Sequence, residues 1–167
     1  MASFPLQPLG ANPFDDENPH YYVFSLTTPR PAAEVWADLH GERPLRWCKG
    51  LHSVRWTSPA PYGVGTTRTV TLANRVTIHE RYFRWEEDPE RGYVNAFVVE
   101  SATVPLFRRL GERYTVVPSA GSSTFTWELV IEPNGPEPAR RLAARMVAHT
   151  VAGLRRDTLA HFAASGA

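Results

Sequence analysis

Cysteine and lysine are nearly missing from this chain. Cys48 is the only cysteine, which excludes an intramolecular disulfide, a CxxC redox pair and a cysteine-based zinc cluster. Lys49 is the only lysine. The other side-chain cations are arginines, which the codon usage of a GC-rich genome explains more simply than phosphate binding does. The histidines (His20, His40, His52, His79, His149, His161) are dispersed and form neither HxxxH nor HExxH. No metal site is therefore expected. GxxxxGK[ST] and GxGxxG are both absent, so nothing suggests a phosphate-cradling loop, and no cofactor is expected. No apolar run approaches the ~18 residues of a membrane span, and residues 1–18 lack a basic start followed by an apolar stretch. The expectation is a soluble, cytoplasmic chain without integral membrane association. Lys+Arg 18 against Asp+Glu 17 leaves a formal charge of +1, too few unopposed cations for broad nucleic-acid binding. There is no Ser-His-Asp signature and no carboxylate pair at fixed spacing, which weighs against an enzyme reading. The 167 residues make one domain, long enough to bury a core without staples.

Punctuation divides the chain. Residues 1–19 hold Pro5, Pro8, Pro13 and Pro19 with Asp15, Asp16 and Glu17, and predict a flexible, irregular tail. The ordered domain is expected over 20–167, and no internal repeat is visible. His20–Thr27 is aromatic and β-branched, a strand composition. Ala32, Val35, Trp36 and Leu39 recur at helical spacing, and Gly41 ends that helix. Pro44–Gly50 predicts a second short helix. From Leu51 to Glu132 the pattern is β: strands over Leu51–Ser58, Gly65–Leu72, Val76–Glu86, Tyr93–Ser101, Gly111–Val117 and Ser123–Glu132, separated by short turns rich in Pro, Gly and Asn. Short connections imply antiparallel neighbours. Glu137–Phe162 is rich in alanine and arginine with its only proline near the start, and predicts one long helix. The fold class is α+β: a seven-stranded curved antiparallel sheet, two short helices after its first strand, and a long C-terminal helix packed on one face.

This order, with Pro31-Ala32-Ala33-Glu34-Val35-Trp36, Leu45-Arg46-Trp47-Cys48, Gly63-Val64-Gly65-Thr66-Thr67-Arg68 and the run Glu80–Arg91, resembles the START-like (SRPBCC) superfamily and its bacterial polyketide cyclase/dehydrase-like branch. The resemblance covers His20 to Phe162. It implies a helix-grip fold, with the sheet wrapped around the C-terminal helix and a cavity between them. Members bind lipids, sterols, hormones, polyketides or quinones, some transform what they bind, and a few are interaction modules. No shared catalytic motif falls on these residues, so the resemblance favours a small hydrophobic ligand without naming a reaction.

The residues themselves suggest which side chains face such a cavity. Around the loop Ala73-Asn74-Arg75, Leu72 falls opposite Val76, Val70 opposite Ile78, Arg68 opposite Glu80 and Thr66 opposite Tyr82. That register separates one mostly apolar face from one polar face, and a slip by one residue would mix them. Val70, Ile78 and Tyr82 then point inward together with Arg68 and Glu80, which must pair if buried. The pair either offers a charged group to a ligand or satisfies only itself at the rim. The same alternation selects Tyr93, Asn95, Phe97 and Val99, then Tyr114, then Phe125, Trp127, Leu129 and Ile131. Asn95 would bond a ligand oxygen or Glu80. On the long helix, Val147, Val151, Leu154 and Thr158 form a core stripe. Leu142, Met146, His149 and Gly153 form an adjacent one, in which His149 is either a structural residue or a donor and base. The apolar loop Thr103–Phe107 either covers a mouth or packs on the core, and Trp47 caps the other end or belongs to the core. Candidate ligand contacts are thus Arg68, Val70, Glu80, Tyr82, Tyr93, Asn95, Phe97, Phe107, Tyr114, Trp127, Met146 and His149, with no catalytic residue assigned. The partner expected is a small hydrophobic molecule, and the chain a monomer or homodimer. Two other classes stay open. One is a cyclase or dehydrase using Tyr82, Tyr93, Tyr114 or His149 to move protons beside Arg68. The other is an interaction module using Arg140, Arg141, Arg145, Arg155 and Arg156.

Overall fold

A computed structural model describes residues 2–164. The elements are β1 (Phe4–Pro5), β2 (Tyr21–Thr28), α1 (Ala32–His40), β3 (Leu51–Trp56), β4 (Thr67–Leu72), β5 (Thr77–Asp88), β6 (Gly92–Ala102), β7 (Phe107–Ser119), β8 (Ser122–Pro133) and α2 (Glu137–Ala164). Seven strands pair in the order β2-β8-β7-β6-β5-β4-β3, all antiparallel, and α2 lies against the inner face. This is the expected seven-stranded helix-grip architecture.

The β4–β5 register places Arg68 opposite Glu80 and Val70 opposite Ile78, as the side-chain alternation requires. Irregularities in β5–β6 pairing, between His79 and Glu80 and between Tyr82 and Arg84, bend the strands. The second also switches parity. Ile78, Glu80 and Tyr82 point inward, yet beyond it the inward side chain is Trp85, which packs on Tyr82 at 5.0 Å between ring centroids. An extra residue in one strand leaves a strictly alternating pattern valid only on one side of it.

Two expectations need correction. Only one short helix follows the first long strand. Residues 44–47 form a turn, because Leu45 sits at φ +56°, a left-handed backbone that no α-helix continues through. The N-terminal segment is irregular as expected, but it is strapped to the sheet rather than loose. Phe4 and Pro5 pair with Ala102 and Ser101 of β6, along the edge that β7 leaves when its pairing with β6 ends at Val98 and Gly111. Arg109 Nε donates to the Pro8 carbonyl at 2.9 Å, and the Arg113 guanidinium lies 4.7 Å above the Phe14 ring. Gly111 makes room for the strap, since a Cβ there would meet Leu9 Cδ1 at 2.5 Å and the Phe97 carbonyl oxygen at 2.9 Å.

The two halves of α2 are held differently. In its C-terminal half, Asp157 accepts from the Lys49 amide at 2.9 Å, and Thr158 accepts from Trp47 Nε1 at 3.1 Å. Trp47 also stacks on His161 with centroids 4.2 Å apart, and His161 Nε2 lies 2.9 Å from Asp38 Oδ2. Trp47 thus joins α2 to the preceding turn rather than capping a cavity. In the N-terminal half, Leu142 and Met146 are 62% and 64% exposed. No helix among the described residues is long and apolar enough to cross a membrane.

Candidate ligand cavity

Beneath the N-terminal half of α2 is a cavity of about 360 Å³, at the lower end of the ~300–1,000 Å³ typical of small-molecule sites. Its walls are largely apolar. Val70, Leu72 and Ile78 come from β4 and β5, Leu110 from β7, Leu129 and Ile131 from β8, and Ala143, Met146, Val147 and Leu154 from α2. Leu106 and Phe107 close one side, so the Thr103–Phe107 loop is part of the wall. Strand alternation builds this surface, as inward side chains of β4 and β5 on one side and of β7 and β8 on the other, with β6 between them, face the helix.

The polar floor sits where the curved sheet meets the α1 end. Arg68 and Glu80 are 1% and 3% exposed, and Arg68 Nε donates to Glu80 Oε2. Arg68 Nη2 reaches the Tyr114 hydroxyl at 3.4 Å. That hydroxyl donates to Glu112 Oε2 at 2.9 Å, and Trp127 Nε1 donates to the same oxygen at 2.9 Å. Arg68 also lies over the Phe97 ring at 4.5 Å, which shields the guanidinium from below. Arg68 Nη1 is buried without a partner among the described residues. Unpaired buried donors are uncommon because they forfeit a hydrogen bond to water.

Glu112 was not singled out from the sequence, although it shares strand parity with Tyr114. Burial and the neighbouring Glu80 carboxylate push its carboxyl up to about 7, against the pull of Arg68. Two carboxyls crowded around one cation cannot both ionise cheaply. Burial also raises the Tyr82 and Tyr114 hydroxyls well above the usual phenol range.

A second polar group lies beneath α1 and was likewise missed. His40, on the last turn of α1, accepts from Asn95 Nδ2 at Nε2, while Nδ1 donates to the Trp36 carbonyl at 3.0 Å. The ring is therefore the neutral tautomer. Burial, with Arg68 nearby, pushes its pKa down to about 3. The Trp36, Trp85, Trp56 and Tyr82 rings surround it, with centroids between 4.0 and 6.5 Å away. Trp36 could have pointed to it, since the two are one helical turn apart.

Of the twelve candidate contacts, seven border the cavity: Arg68, Val70, Glu80, Phe107, Tyr114, Trp127 and Met146. Tyr82, Tyr93, Asn95 and Phe97 are buried but do not border it. Asn95 bonds His40, neither of its expected partners, and Tyr93 stacks on Trp36 at 5.3 Å. His149 lies on the exposed side of α2. It is two residues from both Val147 and Val151, which at about 100° per residue places it on the far side of the helix from them. Leu142 shares that exposure, and Met146 alone of their stripe reaches the cavity edge.

A wider recess of about 620 Å³ lies under the N-terminal strap on the outer face. Its cations already have partners: Arg113 is gripped by both oxygens of Glu128, and Arg84 by both oxygens of Glu86. The inner cavity, with its uncommitted donor, is the better site. No cluster of metal-ligating side chains occurs among the described residues.

An internal cavity between a gripping sheet and a long helix defines a class, and the sequence falls within it. Residues 23–166 match the family described as polyketide cyclase / dehydrase and lipid transport, and the chain belongs to that family. It is 31% identical over 154 residues to an uncharacterized protein of Mycobacterium tuberculosis, covering 86% of this chain and 89% of that protein. A START superfamily protein from Mycobacterium smegmatis superposes with TM-score 0.66 at 10% identity, over 86% of this chain and 97% of that one. The Zhui aromatase/cyclase from Streptomyces sp. R1128 gives 0.60 at 16% identity, over 88% and 98%. At these identities the solved structures share the fold with this chain.

Proposed function

We propose that the protein binds a small hydrophobic molecule, of lipid, polyketide or other aromatic or isoprenoid type, in the cavity beneath α2. The observation that carries this reading is an apolar chamber of about 360 Å³ bordered by Arg68, whose Nη1 has no hydrogen-bond partner among the described residues. Burying an uncommitted guanidinium donor at the end of an apolar chamber opposes stability unless a ligand atom completes it. The apolar walls supply affinity through the area they remove from water, and the floor supplies orientation.

The cyclase or dehydrase reading is favoured by one observation, the Glu112 carboxyl raised to about 7 inside the cavity, near the ideal for proton transfer at neutral pH. The groups first considered for that role fit it less well. His149 faces solvent, and Tyr82 and Tyr114 are held too far up to act as bases near neutrality. Binding is therefore the primary reading.

The test is native mass spectrometry of protein purified without denaturant, combined with uptake of an environment-sensitive apolar dye. Micromolar uptake, about 8 kcal/mol of binding free energy, is expected from the parent protein, with displacement by co-purified ligand. No adduct and no dye uptake would leave the interaction-module reading in its place.

A further inference from the structure

The sheet runs from β2 to β3 without closing on itself, and its two edges differ. β3 is blunted: it carries His52 and Arg55, and its pairing with β4 is interrupted between Leu51 and Ser53. Charge and irregularity of this kind keep an edge from pairing further. β2 pairs only with β8 among the described residues, in unbroken register over its whole length. Its sequence, YYVFSLTT, has no charge, no proline and no glycine.

The free backbone groups of β2 follow from one bond. The Ile131 amide donates to the His20 carbonyl at 3.0 Å. Bonded pairs alternate along an antiparallel ladder. Tyr22, Phe24, Leu26 and Thr28 therefore exchange bonds with β8, and the N–H and C=O groups of Val23, Ser25 and Thr27 point off the edge. These residues are exposed, Val23 to 51%. The row of free donors stops at both ends: the Tyr21 amide is spent on the Asn18 carbonyl at 3.0 Å, and Pro29 has no N–H.

We infer that the β2 edge is an interface between two copies of this chain, paired antiparallel about a two-fold axis at Ser25, so that two sheets become one. The inference is independent of the cavity reading.

The free groups fix the register. With Ser25 opposite the partner's Ser25, Val23 lies opposite the partner's Thr27 and Thr27 opposite the partner's Val23, and every free donor meets a free acceptor. A slip of two residues sets a free group against Tyr21 or Pro29, whose donors are spent or missing. A slip of one sets the free groups against residues whose own groups face β8. All the paired positions are uncharged, so the symmetry brings no like charges together. Entropy favours a second copy over a foreign strand. β2 is already extended and held by β8, so two copies pair without ordering a chain, whereas a free peptide must be ordered first. The surface beside the edge is also poorly suited to reading a foreign sequence. Ser25 and Thr27 bond the Thr126 and Thr124 hydroxyls at 2.8 and 3.2 Å, which makes a flat field of short side chains, whereas strand-binding domains select side chains with pockets.

The test is sedimentation velocity of the full chain from about 1 to about 500 μM, with amide hydrogen exchange at the same concentrations. A monomer–dimer equilibrium with a dissociation constant in the micromolar range is expected. The Val23, Ser25 and Thr27 amides should gain protection as the dimer forms, while those of Phe24 and Leu26 stay as they are. Ser25→Pro removes only an N–H that points off the edge, so the fold should stand. It is expected to weaken dimerisation at least about tenfold. Ser25→Lys sets two cations face to face and should weaken it about fivefold; mixing that chain with Ser25→Glu should restore the parental affinity, because residue 25 faces itself. The exchange readout uses the parent protein alone and decides the matter even if a variant does not fold. The inference is overturned if the parent stays monomeric throughout, if the Val23, Ser25 and Thr27 amides gain no protection, if the dimer is indifferent to Ser25→Pro and Ser25→Lys, or if the Ser25→Lys and Ser25→Glu chains do not pair. A monomer carrying a co-purified peptide on those amides would give the edge to a foreign strand and overturn it as well.

Discussion

The inner face of the sheet carries two coverings of opposite character. Under α1 the space is filled by rings: Trp36, His40, Trp56, Tyr82, Trp85 and Tyr93 form a chain of stacked, tilted and edge-to-face contacts with neighbouring centroids 4.0–6.5 Å apart. Under the N-terminal half of α2 the same sheet face looks onto empty apolar space, and the helix residues above it are mostly exposed. Both coverings are amphipathic helices on the same antiparallel strands, so secondary structure does not separate them. Side-chain volume does. Three tryptophans and their neighbours fill the α1 end, while α2 offers Ala143, Val147, Thr150 and one flexible methionine. A sheet of this curvature is closed where large rings are supplied and remains hollow where they are not.

The difference predicts unequal mutational costs. Trp36→Ala removes the ring that touches His40, Trp85 and Tyr93. It should cost about 3–5 kcal/mol, the range for large-to-small changes in a packed core, read from denaturant midpoints at constant slope. Met146→Ala should cost under about 0.5 kcal/mol. Similar costs at the two sites would abolish the distinction drawn between the two ends.

The boundary between the ends should respond next most strongly. Arg68→Ala strands Glu80 in a site 3% exposed and is expected to cost about 3 kcal/mol or more, as when one partner of a buried ion pair is removed. Replacing both, Arg68→Met with Glu80→Leu, should recover much of that stability and weaken ligand uptake. A single variant that unfolds at the parental denaturant concentration would mean the pair is not buried.

Two of the buried titratable groups, Glu112 and His40, oppose one another with pH. Glu112 has a folded value of about 7 above its ordinary 4.5. Its contribution to stability is complete below about pH 4.5 and is lost as pH rises through about 7. His40 has a folded value of about 3 below its ordinary 6.5. Its contribution is complete above about pH 6.5 and is lost as pH falls through about 3. Melting temperatures should therefore rise more steeply toward neutral pH in Glu112→Gln than in the parent protein, since the substitution removes the Glu112 arm and leaves that of His40. A profile unchanged by the substitution would remove Glu112 from the coupled set.

A small effect on stability is expected from filling the mouth as well. Met146→Trp should fill the entrance and abolish dye uptake while costing under about 1 kcal/mol, whereas overfilling a packed core costs about 1–3 kcal/mol. Marked destabilisation without loss of uptake would place Met146 in the core.

Which of these features the sequence discloses follows from how local their causes are. The Arg68–Glu80 register is legible because a three-residue loop and two faces of opposite polarity fix it within one hairpin. Glu112 is half legible: its parity is plain, but its role depends on Glu80 two strands away. Trp85 misleads, since a bulge between Tyr82 and Arg84 reverses which parity faces inward. His149 misleads for a helical reason. Two adjacent stripes on α2 both look apolar, and only docking on the sheet decides which one turns inward. The turn at Leu45 is invisible because its left-handed backbone is imposed by packing, Leu45 itself being 3% exposed. His40 shows in the sequence only as one of the dispersed histidines, since its partner Asn95 lies 55 positions along the chain.

The uneven fastening of α2 makes it a cantilever. Its clamp is the cluster around Trp47, Asp157, Thr158 and His161, and its other end, Glu137, about 30 Å away at 1.5 Å rise per residue, is tied to β8 by residues 134–136, where the Asn134 amide donates to the Leu106 carbonyl at 2.9 Å. On an arm of that length, a tilt of about 5° at the clamp carries the tip roughly 2.5 Å while the clamp itself hardly moves. A tilt of that kind would change the chamber volume without breaking one inter-strand hydrogen bond, which is the form of adjustment the proposed binding of ligands of different girth would use.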